Sequence, residues 1–355
     1  MWRKRPSLAF LVLLVAAVAP ACGSSGAPSR ANAASRNAVG TAGARVAKVG
    51  LVYDVGGRGD ASYNDSAAAG LERAQAEFGV VTHSLTPNQG GEDRAELLRL
   101  LSEQRYQLVF AVGFLFADAV EKVAKEFPDT TYAIIDAVVD APNVVSLTFA
   151  PEQGSFVVGA AAALKSQTGR VGFLGGVETG QIRSFEAGFA AGARYVDPRI
   201  RVEVKYISQP PDFTGFADPA RGKEVGLALY EQGADVVYHA SGSSGQGLFE
   251  AAREVSARGA KVWVIGVDAD QYQVVDAAVR PFILTSMLKR VDLAVYETVK
   301  AFVGSSLHGG RVSFDLRSGG IGYATSGGSI DDIKDQLESL KAKIAHGEIT
   351  VPSTP

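Results

Sequence analysis

The chain of 355 residues holds a single cysteine, Cys22. A lone thiol closes no internal disulfide, so oxidative stapling plays no part in the fold. Histidine is nearly as scarce: His83, His239, His308 and His346 stand singly. Neither HExxH nor CxxC occurs, which removes the spacings that zinc requires and predicts no metal and no cofactor. The GxSxG turn of the usual hydrolase nucleophile is missing as well. No block of Lys or Arg follows residue 5, and clustered cations are what nucleic-acid binding rests on, so that partner is disfavoured. Long apolar runs are also wanting. The one candidate, Leu8–Val18, spans about 11–14 residues, short of the roughly 20 that cross a bilayer.

That short run is informative for another reason. Arg3, Lys4 and Arg5 precede it, and Ala19-Pro20-Ala21-Cys22 closes it. A charged start, an apolar core and small residues before a cut site make a secretory signal peptide. The cysteine at the cut resembles a bacterial lipobox. That resemblance implies residues 1–21 as signal peptide, a lipid on Cys22 and a protein anchored on the extracytoplasmic face of the cell membrane. Residues 22–45 are, after Cys22, mostly Gly, Ala, Ser, Pro and Asn with three arginines, and predict a flexible tether. Loss of the signal takes Lys+Arg from 35 to 32 against 38 Asp+Glu, a net charge near −6.

From Val46 onward, short apolar strands alternate with amphipathic helices. Strands are predicted at Val46–Val55, Val80–Leu85, Leu108–Val112 and Thr131–Ile135, then at Arg170–Leu174, Val202–Ser208, Val236–His239, Lys261–Val267 and Phe282–Met287. Helices fall between them, with further ones at Val291–Val303 and Ile330–Ala345. This rhythm predicts an α/β protein with right-handed βαβ units and parallel sheets covered on both faces. Two consecutive series imply two doubly wound lobes joined by a hinge near Thr148–Pro151. The expected division is 46–149 plus about 290–308 for the first lobe, and 150–289 plus about 309–355 for the second. The lobe that takes the last helix is left open.

Parallel sheets bind ligands beyond the carboxyl ends of their strands. Polar and aromatic residues collect there: Asp54 to Asn64, Gly113 to Asp118, Phe213 to Asp218, Ala240 to Gly247, Asp268 to Gln271, and Lys289-Arg290. Gly56, Gly57 and Gly59 read as a strand-to-helix turn rather than a phosphate cradle, and Arg58-Gly59-Asp60 as a chance RGD. Asp60, Ser62 or Asn64 suits a helix cap. Gly242 to Gly247 suits a cleft wall. Asp268 and Lys289 suit a vicinal diol, or a plain ion pair. Tyr63, Phe114, Phe116, Phe213 and Phe216 follow strands in polar turns, where rings facing a cleft make a slot for a flat heterocycle.

These stretches resemble a known family. Gly50-Leu51-Val52-Tyr53-Asp54 with Asp60-Ala61-Ser62-Tyr63-Asn64, Gln153-Gly154-Ser155-Phe156, Gly172-Phe173-Leu174-Gly175-Gly176, Phe216-Ala217-Asp218-Pro219, Gly266-Val267-Asp268-Ala269-Asp270-Gln271 and Thr285-Ser286-Met287-Leu288-Lys289-Arg290 stand in order. Together they are similar to the basic membrane protein family, the purine nucleoside receptor A type of ABC-transporter lipoproteins. The resemblance implies a type I periplasmic-binding-protein fold, no enzymatic activity, a permease partner and a monomer closing on a nucleoside, purine being favoured. Tyr63, where the family has phenylalanine, and Phe216 would stack on the base. Asp118, with Asp60 or Asn64, would bond its edge. Asp268 and Lys289 would hold the ribose, helped by Gly242 and Gly245, with Asp54 and Phe114 beside them. A sugar or autoinducer receptor of the same fold is the alternative, and an exported nucleoside-processing enzyme a weaker one.

Overall fold

The computed structural model describes residues 46–88 and 90–355, which lie in one compact unit, Arg45–Pro355. The signal peptide, Cys22 and the tether fall outside the described residues.

Two six-stranded sheets organise the unit. The first is built from β1 (Lys48–Val52), β2 (Val81–Leu85), β3 (Leu108–Ala111), β4 (Thr131–Ile135) and β5 (Val144–Phe149), in the order β5-β4-β3-β1-β2. The second contains β6 (Arg170–Val177), β7 (Arg201–Ser208), β8 (Val236–Ala240), β9 (Trp263–Asp268) and β10 (Ile283–Lys289), in the order β10-β9-β8-β6-β7. All these pairings are parallel. Central strands such as Leu108–Ala111 and Val236–Ala240 are buried at every position, because helices cover both faces.

On the first sheet, α1 (Tyr63–Phe78) and α9 (Val291–Val303) cover one face. There α2 (Arg94–Glu103) and α3 (Ala117–Glu126) cover the other. On the second, α4 (Pro151–Lys165) and α5 (Gly180–Val196) lie opposite α6 (Pro219–Glu231) and α7 (Gly245–Ala257). The short α8 (Gln271–Val274) follows β9. The last helix, α10 (Lys334–Ala345), buries Leu337, Leu340 and Ile344 in the cluster beneath α4, which settles its place on the second sheet.

Three strands had no predicted range: β5, of which only the end near Thr148–Pro151 was expected, β11 (Gly310–Phe314) and β12 (Ile321–Tyr323). β11 runs parallel to β5 at the edge of the first sheet, whereas residues from about 309 were expected in the second lobe. Phe314 stacks on Phe149 with ring centroids 5.0 Å apart, and Arg311 Nε donates to Thr148 Oγ1 at 3.0 Å, which anchors the strand there. β12 then pairs antiparallel with β10 in the second sheet.

The chain therefore passes between the sheets three times: at Phe149–Pro151, at Lys289–Val291 and between Phe314 and Ile321. The passages lie side by side. Ala150 N–H donates to Phe314 O at 2.9 Å, and Arg290 N–H to Gly320 O at 2.9 Å.

Candidate ligand-binding site

A cavity with about 590 Å³ of empty space lies where the carboxyl ends of the two sheets meet. Nine of the eleven residues expected at a ligand line it: Asp54, Asp60, Tyr63, Asn64, Phe114, Phe216, Gly242, Asp268 and Lys289. They come from the segments after β1, β3, β7 and β8, including the start of α1, and from the last residues of β9 and β10, where parallel-sheet topology puts them.

Local folding decides what each can do. Asp60 caps α1: its carboxylate accepts from the backbone N–H of Ser62 at 2.9 Å, Asn64 at 2.8 Å and Asp65 at 3.1 Å. Burial pushes its carboxyl up, and those three donors oppose the shift. Ser62, the residue at the cap position, makes no side-chain cap bond. Asn64 is also committed. Its Oδ1 accepts from Asp54 N–H at 2.8 Å and its Nδ2 donates to Val55 O at 3.3 Å, so it pins the turn that presents Asp54. Among the described residues the Asp54 carboxylate accepts only from Val55 N–H, at 2.8 Å. Desolvation raises its pKa to about 6, against the pull of that N–H and of Arg94.

Two expectations are corrected. Asp118 is exposed on the first turn of α3 and does not line the cavity, because the three-residue turn Phe114–Phe116 carries it past the site. Gly245 also lies off the cavity. A Cβ there would sit 2.0 Å from the His239 ring, so the glycine makes room for histidine rather than for a ligand. Among the aromatics, Phe116 is core, while Phe213 meets Phe114 edge-on at 6.4 Å. The RGD tripeptide is not on display, since Asp60 is buried and Arg58 pairs with Asp65 and Glu72.

Asp136 is the residue that sequence reading missed. It follows β4 in a left-handed conformation, φ 66°, and lines the cavity. The Lys289 ammonium pairs with its Oδ2, and both side chains are nearly inaccessible. Tyr63 donates its hydroxyl to the same oxygen at 2.7 Å, which supplies the partner that a tyrosine at this position requires. Lys289 also lies 4.4 Å from the Tyr63 ring centroid and 4.9 Å from that of Phe149. Asp136 Oδ1 is buried without a partner among the described residues. Asp268, φ 63°, accepts from Ser62 Oγ at 2.6 Å, and burial raises its pKa to about 6 although Lys289 pulls it down. The ammonium expected at Asp268 is thus bonded to Asp136. Ile182 and Phe185 of α5 complete the apolar wall.

Over residues 47–355 the sequence matches the family described as ABC transporter substrate-binding protein, PnrA-like. The chain belongs to this family. Its fold is that of the type I periplasmic-binding proteins, and its members are substrate-binding proteins rather than enzymes. The ABC transporter nucleoside-binding protein BmpA of Lactococcus lactis is 33% identical over 319 residues, covering 86% of this chain and 89% of that one. An uncharacterized lipoprotein of Pyrococcus furiosus is 32% identical over 343 residues, covering 85% and 84%. A crystal structure of a solute-binding protein of an Aeropyrum pernix ABC transporter system superposes with a TM-score of 0.76 at 30% identity, covering 86% of this chain and 93% of that one. This substrate-binding protein thus has relatives named for nucleosides and for lipid attachment. Among the described residues no helix is long and apolar enough to cross a membrane.

Proposed function

We propose that this substrate-binding protein captures a nucleoside, with a purine base favoured, between its two halves and delivers it to an ABC permease. One observation carries the reading: the cavity sets rings from both halves beside a buried ammonium–carboxylate pair that retains a free oxygen. Tyr63 and Phe216 flank the base, with Phe114 widening the apolar wall. Asp54 accepts from the base edge while Asn64 and Asp60 hold its turn in place. The sugar hydroxyls meet Asp268, Asp136 Oδ1 and Lys289, and the Gly242 backbone closes that end. A stacked base contributes roughly 1–3 kcal/mol and each hydrogen bond to a charged group roughly 1.5–3 kcal/mol. Those terms support a Kd of about micromolar or tighter.

Calorimetry on Arg45–Pro355, which contains both sheets and all four apolar clusters, tests this. The protein is refolded once to strip carried ligand, then titrated with adenosine, guanosine, inosine, uridine, cytidine and ribose. Saturable heat from purine nucleosides with ribose silent is expected. Heat from ribose alone overturns the reading in favour of a sugar receptor, and release of free base from inosine in favour of an enzyme. Lipid anchoring at Cys22 is part of the proposal, supported by the lipobox and by the lipoprotein relatives. Cys22→Ala in the full chain is expected to move the protein from the membrane fraction to the soluble one.

A further inference from the structure

Resting on that reading, the structure assigns to Gln271 and His239 a task that touches no ligand: they latch the two halves together. Neither lines the cavity, yet both are wholly buried. Gln271 stands at the start of α8 on the second sheet, and its Nε2 donates across the cleft to Ala61 O at 3.0 Å. Beside it, Gln246 Nε2 donates to Gly59 O at 2.9 Å.

The loop before α1 is folded to receive these bonds. Its N–H groups turn toward its own helix: Asp65 accepts from Gly59 and Ala61, and Asp60 accepts from Ser62. With the donors occupied on one side, the carbonyls of Gly59 and Ala61 are left to the other half of the molecule. Ala61 holds φ 51°, a conformation that non-glycine residues seldom adopt.

The orientation of the Gln271 amide is fixed by a chain of donors. Val267 N–H donates to Oε1 at 2.9 Å, so that end is the oxygen. His239 Nε2, 2.9 Å from the same oxygen, therefore carries the ring proton, and Nδ1 accepts from Ser241 Oγ at 3.2 Å. The NH2 end has no alternative but to face Ala61. Two glycines make this arrangement fit. A Cβ on Gly266 would lie 2.4 Å from Gln271 Oε1, and one on Gly245 would strike the His239 ring. His239 and Gln271 are positioning residues: they set how long the closed form lasts, not what it binds.

Gln271→Glu isolates the effect. The variant keeps an oxygen for Val267 and His239 but turns a second oxygen on the Ala61 carbonyl. Gln246 is half-buried and its bond to Gly59 is solvent-exposed, so Gln246→Ala is a companion with less folding risk. Stopped-flow kinetics with adenosine and inosine as probes should show release faster by about tenfold in Gln271→Glu and a few-fold in Gln246→Ala, with association within about twofold of wild type. Unchanged release from both variants, with wild type binding normally, overturns the latch and leaves the nucleoside reading intact. If wild type binds neither probe, that reading fails separately, and X-ray scattering of the ligand-free proteins decides. A larger radius of gyration in Gln271→Glu than in wild type then supports the latch, and equal radii overturn it.

Discussion

Asp54 and Asp268 are each held in a state their burial disfavours. Both have pKa values near 6 against 3.8 for the free side chain, with desolvation the leading cause. A carboxyl whose pKa is raised by folding adds stability below pH 3.8 and loses it as pH rises through 6. At pH 7 each therefore weakens the fold. Asp54→Asn should stabilise the protein by about 1–3 kcal/mol at pH 7 and by almost nothing at pH 4, read from urea unfolding at the two pH values. His239 runs the opposite way. Burial lowers its pKa to about 4, so its share of stability is complete above about pH 6.5 and fades as pH falls toward 4. For binding, acidification through pH 6 neutralises the two acceptors. Nucleoside affinity should fall about tenfold between pH 7 and pH 5, and Asp268→Asn should show at least a tenfold loss at pH 7 by calorimetry. Equal affinity in that variant would remove the sugar contact from Asp268. Residue types after strands pointed to nine of these side chains. Asp136 escaped because a single carboxylate after Ile135 has no aromatic or glycine neighbours to mark it. Its importance comes from a left-handed backbone and from Lys289, 153 residues away.

At the scale of elements, alternation of apolar strands and helices exposed most of the order in advance. It failed at β11 and β12. Four of the five β11 residues are exposed, so no apolar pattern distinguishes that edge strand from a loop. Which helices touch was equally invisible. α4 and α5 pack backbone to backbone: a Cβ added to Gly192 would fall 1.9 Å from Phe156 O, and one on Gly159 would fall 2.2 Å from Phe189 O. In sequence such glycines look like weak points in helices. Gly192→Ala should cost about 1–3 kcal/mol by forcing the helices apart, and thermal or urea denaturation will measure it. No change would mean that the pair is free to spread.

For the molecule as a whole, the sign of the cavity is the governing fact. Asp54, Asp60, Asp136 and Asp268 line the cavity together with one ammonium, that of Lys289, which pairs with Asp136. A ligand bearing phosphate would bring more negative charge into a desolvated space that already has an excess of it. Inosine 5′-monophosphate should bind at least about 100-fold more weakly than inosine in side-by-side titrations. Parity between the two would mean that the acidic groups do not face the sugar's far end.

The three passages of chain between the sheets have a mechanical meaning. A single tether would leave one half free to swing, twist and slide against the other. Three tethers side by side, tied by Ala150–Phe314 and Arg290–Gly320 bonds, restrict the closure proposed above to a narrow path. Closure along such a path would bring the same atoms back opposite one another on every cycle. Under the proposed closure little orientational entropy is left for a ligand to suppress, and Lys289, at the second passage, is expected to move least and the far rim most.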